Sequence, residues 1–128
     1  MQFHRYRTDV ADDVCVFSSG LKSVAGHYDL LSQSEKLRAQ RIGTEVGRSR
    51  FIASRSFLRL AIGGFLGTGP YRSEFIVGCF GKLYLSPPHS RICFNVSHTN
   101  DVIVVACANR RVLGVDIERS DREISTSV

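Results

Sequence analysis

At Pro70 the spacing of apolar residues changes period, and that break constrains the fold more than any other feature of the chain. Before it, "RSRFIASRSFLRLAIGGFLG" places Phe51, Ser54, Leu58, Ala61 and Phe65 at steps of three and four. That spacing is one mostly apolar stripe of a helix. Arg48, Arg55 and Arg59 fall together on another face, which by itself reads as solvated. Gly63, Gly64 and Gly67 mark the helix end, and "GTGP" closes it. After the break come short β-branched or aromatic runs: "SEFIVGCF", "KLYL", "RICFNVSH", "DVIVVACA" and "RVLGVDIE". Turn-like "SPPHS", "TN" and "NRR" divide them, and the last two runs read as antiparallel strands joined near Asn109.

Upstream, "DVCVFSS" (13–19) alternates like an early strand, and Ser32 stands three residues before Glu35, a capping-box signature for a helix start. Helices first and a small antiparallel sheet afterwards predict an α+β class, helices packed on that sheet. A chain of 128 residues without internal repeats is the size of a single domain, 1–128.

Composition narrows the function classes. No apolar run approaches the roughly 18 residues that span a bilayer, so no membrane partner is expected. "MQFHRYRTDVADD" has no apolar h-region, and Cys15, Cys79, Cys93 and Cys107 show no CxxC spacing. These features predict reduced thiols and a cytoplasmic location. The net charge is +5, and from Lys36 to Arg72 eight basic residues face one acid, Glu45. Arginine dominates that set, and its planar fork suits phosphate recognition. No aromatic-interleaved basic motif accompanies it, so nucleic acid is not an expected partner.

Three local patterns carry chemistry. Asp116 and Glu118 lie one residue apart in an apolar run, so on a strand both carboxylates share a face opposite Val115 and Ile117. Like charges held side by side repel, and burying them requires a cation or proton. Mg²⁺ takes oxygen ligands and is often held by one or two carboxylates plus substrate phosphates. Read alone, such a pair is more often a solvent-facing pair of charges. In "FNVSHTND" (94–101), Ser97 and His98 follow an apolar strand start, where they could donate to an anion; read alone, this is a β-turn with a surface histidine. Lys82 follows Gly81 at a strand entry and by itself reads as solvated.

In order and spacing these parts resemble the larger, Sfp-type 4'-phosphopantetheinyl transferases over about residues 30 to 119. "RFIASRSFLR" (50–59) is similar to the family's arginine-bearing helix. "GKLYL" (81–85) is similar to its Gly-Lys-Pro segment, with Leu83 in place of proline. "FNVSHT" (94–99) resembles its Phe-Asn-x-Ser-His-Ser motif, with Thr99 for the last serine. "GVDIE" (114–118) matches its Gly-[Val/Ile]-Asp-Ile-Glu motif without change.

The resemblance implies a transferase that moves the phosphopantetheine arm of coenzyme A onto a serine of an acyl or peptidyl carrier protein, releasing 3',5'-ADP. It implies that Asp116 and Glu118 hold Mg²⁺ at the coenzyme A pyrophosphate. It also implies that His98 bonds the phosphates with Ser97 beside the nucleotide. Lys82, with Arg48 and Arg38 as nominated arginines, would meet the remaining phosphate charge. The family fold is two similar halves about a pseudo-twofold axis, and its second half carries a Trp-x-x-Lys-Glu-x-x-x-Lys helix. This chain has no Trp and no Lys-Glu pair after residue 118. The expectation is therefore an N-terminal half with a polar, disordered tail at 119–128. Such a half would be inactive or very weak alone and would rely on a C-terminal half or on self-association. The alternative is a non-catalytic pseudoenzyme that grips coenzyme A or a carrier protein. The short trimeric synthases of the same superfamily do not fit, because their aspartate motif lies near the N-terminus.

Overall fold

A computed structural model describes residues 2–7, 13–24, 26–99, 101–109, 115–117 and 124–126. Two hairpins from distant parts of the chain build its main sheet. β1 (Gln2–Arg7) pairs antiparallel with β2 (Asp13–Gly20), and β5 (Ile92–His98) pairs antiparallel with β6 (Val102–Asn109). β2 and β6 then join in antiparallel register, Cys15 opposite Cys107 and Phe17 opposite Val105, giving the order β1-β2-β6-β5. Both edges of β6 are thereby occupied. The sequence suggests that the run 112–118 pairs with β6; its described part, β7 (Val115–Ile117), pairs instead with β8 (Ile124–Thr126). β7 also lies against β5. The pair β7–β8 brings part of the expected polar tail into a strand, and the rest of that tail lies outside the described residues.

Two helices separate the sheet's two hairpins in sequence. α1 (Gln33–Arg41) starts with the expected capping box: the Glu35 amide donates to Ser32 Oγ at 3.3 Å, and the Ser32 amide donates to Glu35 Oε1 at 3.0 Å. α2 (Glu45–Leu66) is capped by Thr44, whose hydroxyl oxygen accepts from the Gly47 amide. It ends at Gly67, in the left-handed region at φ 72°, where the Thr68 amide closes back on the Gly63 carbonyl at 2.9 Å. Gly63 does more than end the helix: a Cβ there would stand 2.3 Å from the Gly69 carbonyl oxygen, so the exit loop needs a hydrogen at that position.

The core lies between α2 and one face of the sheet. Phe57, Leu58, Ala61 and Ile62 pack on Cys15, Phe17, Ile103, Val105, Cys107 and Phe94. This buried face is rotated from the predicted stripe: Leu58 and Ala61 are buried as expected, but Phe51, Ser54 and Phe65 are only half-buried. Arg59, expected on a solvated face, is 0% exposed. The other sheet face carries a smaller cluster of Val14, Val16, Ala106 and Ala108. With helices on a small antiparallel sheet, the fold class is α+β. A third, minor element completes it. β3 (Ile76–Val77) and β4 (Leu83–Tyr84) form a short hairpin between α2 and β5.

Candidate functional site

A cleft of about 700 Å³ opens on the α2 side of the main sheet. Four elements, with Leu21 from the turn after β2, wall it. α1 contributes Arg38; α2 contributes Arg50, Phe51, Arg55 and Leu58; the β3–β4 hairpin contributes Gly81, Lys82 and Leu83; β5 and its turn contribute Phe94, His98 and Thr99. Arg38, Arg50, Arg55 and Lys82 are all cations, and among the described residues no Asp or Glu lines the cleft. Low-dielectric walls with charge of one sign concentrate the opposite sign of ligand.

Each wall has a local cause. On α2, Phe51 and Arg55 are four apart and Leu58 follows one turn on, so the stripe that reads as core partly faces the cleft. Two guanidinium groups lie over the Phe51 ring, Arg38 at 5.0 Å and Arg55 at 5.1 Å from its centroid. Arg55 donates from Nη1 to Glu35 Oε2 at 3.0 Å. Burial pushes the Arg55 guanidinium below the usual arginine range, and the Glu35 hydrogen bond opposes that shift. In the hairpin, Phe80 and Gly81 both sit in the left-handed region, φ 59° and 77°. This turn, closed by the Gly78 amide on the Lys82 carbonyl at 2.7 Å, sets Lys82 on the cleft wall. A glycine at position 81 is what that backbone conformation favours. The Lys82 ammonium stands 5.6 Å over the Tyr84 ring. On β5, Phe94 and His98 share the sheet face that looks toward α2.

The expected site residues therefore separate into groups. Arg38, Lys82 and His98, far apart in sequence, meet in one cleft. Ser97 is one residue from His98 and so projects from the opposite face of β5, where it is buried. Arg48 lies apart from the cleft lining: its Nε donates to the Ala39 carbonyl at 3.3 Å and its Nη2 to the Ile42 carbonyl at 2.9 Å. It thus satisfies carbonyl groups at the C-terminus of α1. Arg50 and Arg55 join the cleft without having been nominated. Their helical spacing places them near Phe51, but only the packing of α1 on α2 makes that region a wall.

The carboxylate pair lies at the margin of what is described. Asp116 is in β7, whose backbone lies against the strand carrying His98, and Glu118 is outside the described residues. Two carboxylates offer the hard oxygen donors that Mg²⁺ takes, so the donor chemistry fits the metal. Among the described residues, no group of three or more His, Cys, Asp or Glu is placed to hold a metal ion. No helix among them is long and apolar enough to cross a membrane.

Comparison with known proteins gives this geometry its context. No protein-family model matches the chain. The 4'-phosphopantetheinyl transferase HetI of Nostoc sp. is 36% identical over 90 residues, covering 69% of this chain and 38% of that protein. A phosphopantetheinyl transferase of Thraustochytrium sp. is 29% identical over 97 residues, 75% of this chain and 34% of its own length. The chain thus spans little more than a third of the curated relatives it matches. Through the region it shares with them, the chain belongs to the 4'-phosphopantetheinyl transferase superfamily.

Proposed function

We propose that this chain supplies the coenzyme A-binding portion of a phosphopantetheinyl transferase acting on a serine of an acyl or peptidyl carrier protein. One observation carries the reading: Lys82 and His98, from two of the motifs shared with that superfamily, converge with Arg38, Arg50 and Arg55 on a cleft that no Asp or Glu among the described residues lines. Such a surface fits a ligand with several phosphates, whose oxygens accept from guanidinium and ammonium groups.

In the reaction the serine oxygen forms a bond to the β-phosphorus of coenzyme A. The bond to the bridging oxygen breaks, and 3',5'-ADP leaves with that electron pair while the serine proton is released. Arg38, Arg55, Lys82 and His98 would donate to the phosphates and stabilise the charge that grows on the leaving nucleotide. Asp116 and Glu118 would hold Mg²⁺, which when bound neutralises pyrophosphate charge. Ser97, on the opposite face of β5, would support the strand rather than touch the nucleotide. Transfer by these 128 residues alone is expected to be absent or very weak, because the proposed metal site has two protein carboxylates, Asp116 and Glu118.

The test has two parts. Calorimetry with coenzyme A should show Mg²⁺-dependent binding that Lys82→Ala and His98→Ala both weaken. Incubation with Mg²⁺, coenzyme A and an apo carrier protein, read by mass spectrometry of the carrier, should show no adduct from this chain alone. Failure to bind coenzyme A overturns the functional reading. A stoichiometric pantetheine adduct overturns the expectation of inactivity.

A further inference from the structure

Arg59 is the least expected residue of the fold, a 0% exposed cation in the middle of α2. Its Nε donates to Glu35 Oε1 at 2.8 Å, and Glu35 is itself buried. Its Nη1 donates to two carbonyls beyond the end of α2, Tyr71 at 2.8 Å and Ser73 at 2.9 Å. Its Nη2 has no hydrogen-bond partner among the described residues, and the guanidinium carbon lies 4.6 Å from the centroid of Phe75. Phe75 in turn packs on Phe94 of β5, 5.8 Å between centroids.

The groups that Arg59 holds are the roots of the cleft walls. Glu35 sits one turn before Arg38 on α1 and also receives Arg55 of α2. Tyr71 and Ser73 lead into the β3–β4 hairpin, and the same segment grips the hairpin's exit. The Ser86 amide donates to Tyr71 Oη at 3.0 Å, and Ser86 Oγ donates to the Glu74 carbonyl at 3.0 Å. Glu74 is tied back to α1 by Ser34, whose hydroxyl donates to its carboxylate at 2.7 Å. One buried pair thus joins the supports of Arg38, Arg55 and Lys82.

We propose that Glu35 and Arg59 are positioning residues for the cleft: their buried ion pair sets α1, α2 and the β3–β4 hairpin at the separation that a phosphate-bearing ligand requires. The chemistry favours this role over simple stabilisation. A buried ion pair loses hydration on both partners and is often no more stable than apolar residues of similar volume. Its directional hydrogen bonds, by contrast, fix where the joined segments stand, which apolar packing does less strictly.

Three variants separate the two roles: Glu35→Leu, Arg59→Met and the double variant. Glu35→Leu leaves the Arg59 charge buried without its carboxylate and should melt lowest, and adding Arg59→Met should raise the thermal midpoint again. In that double variant coenzyme A affinity should remain about tenfold to a hundredfold below the parent chain. Hydrogen exchange should quicken at the Gly78 and Lys82 amides while the amides of β6 stay protected. Affinity that returns together with the midpoint overturns the proposal. The affinity arm rests on the coenzyme A reading, whereas exchange does not. If the parent chain binds no coenzyme A, that reading falls, and exchange alone decides. Faster exchange confined to the hairpin supports the positioning role, and unchanged or uniformly faster exchange overturns it.

Discussion

Cys15 and Cys107 face each other across β2 and β6 inside the core, whereas Cys79 and Cys93 are exposed. Burial pushes the Cys107 thiol up to about 12, and the neighbouring Cys15 adds to the shift. Because the thiolate is the reactive form, the buried pair should be inert. Mass spectrometry after brief treatment of the native protein with a maleimide should find two labels, at Cys79 and Cys93. Four labels should appear only after denaturation, and fast labelling of Cys107 in the native state would show that α2 lifts from the sheet. Arginines divide in a similar way. Arg48→Ala should lower stability by about 1–3 kcal/mol, since it removes charge-assisted bonds to the α1 carbonyls, and should leave coenzyme A affinity near the parent value. Arg38→Ala should do the reverse, weakening coenzyme A binding with little change in thermal midpoint.

At the scale of elements, the β3–β4 hairpin depends on its anchor to the N-terminus of α1. Hydrogen bonds from Ser34, and then from Ser32, hold the Glu74 carboxyl below its ordinary 4.5. A depressed folded value means that Glu74 stabilises the fold above the unfolded value. That contribution fades as pH falls through the lower folded value. The difference in thermal midpoint between the parent chain and Glu74→Gln should therefore shrink as pH is lowered from about 6 to about 3. A constant difference would mean that the anchor does not depend on the carboxylate charge. The same hairpin shows where periodicity stops informing. "SEFIVGCF" and "KLYL" read as short β-branched or aromatic runs, and only Ile76–Val77 and Leu83–Tyr84 within them pair. The left-handed Phe80 and Gly81 turn the chain too early for a longer ladder.

For the whole molecule, the cationic cleft predicts a strong response to salt. Screening shortens from about 10 Å at 0.1 M to about 3 Å at 1 M, so coenzyme A affinity should fall steadily over that range. Binding that ignores salt would place the ligand's contacts on Phe51, Leu58 and Leu83 rather than on the arginines and Lys82. Local signals determined much of this protein. The change of period at Pro70, the Ser32–Glu35 capping box and the Gly67 stop each act within a few residues, where backbone geometry and side-chain chemistry are enough. The family resemblance in motif order also pointed to Lys82 and His98, although each read alone is a solvated side chain. Only the tertiary structure paired β2 with β6 and turned Arg59 inward. Those outcomes depend on which distant segment occupies each sheet edge and each helix face. Glu35 shows the division within one side chain. Its cap is written three residues away in Ser32, but its charge partner lies 24 residues along the chain and meets it only when α1 packs on α2.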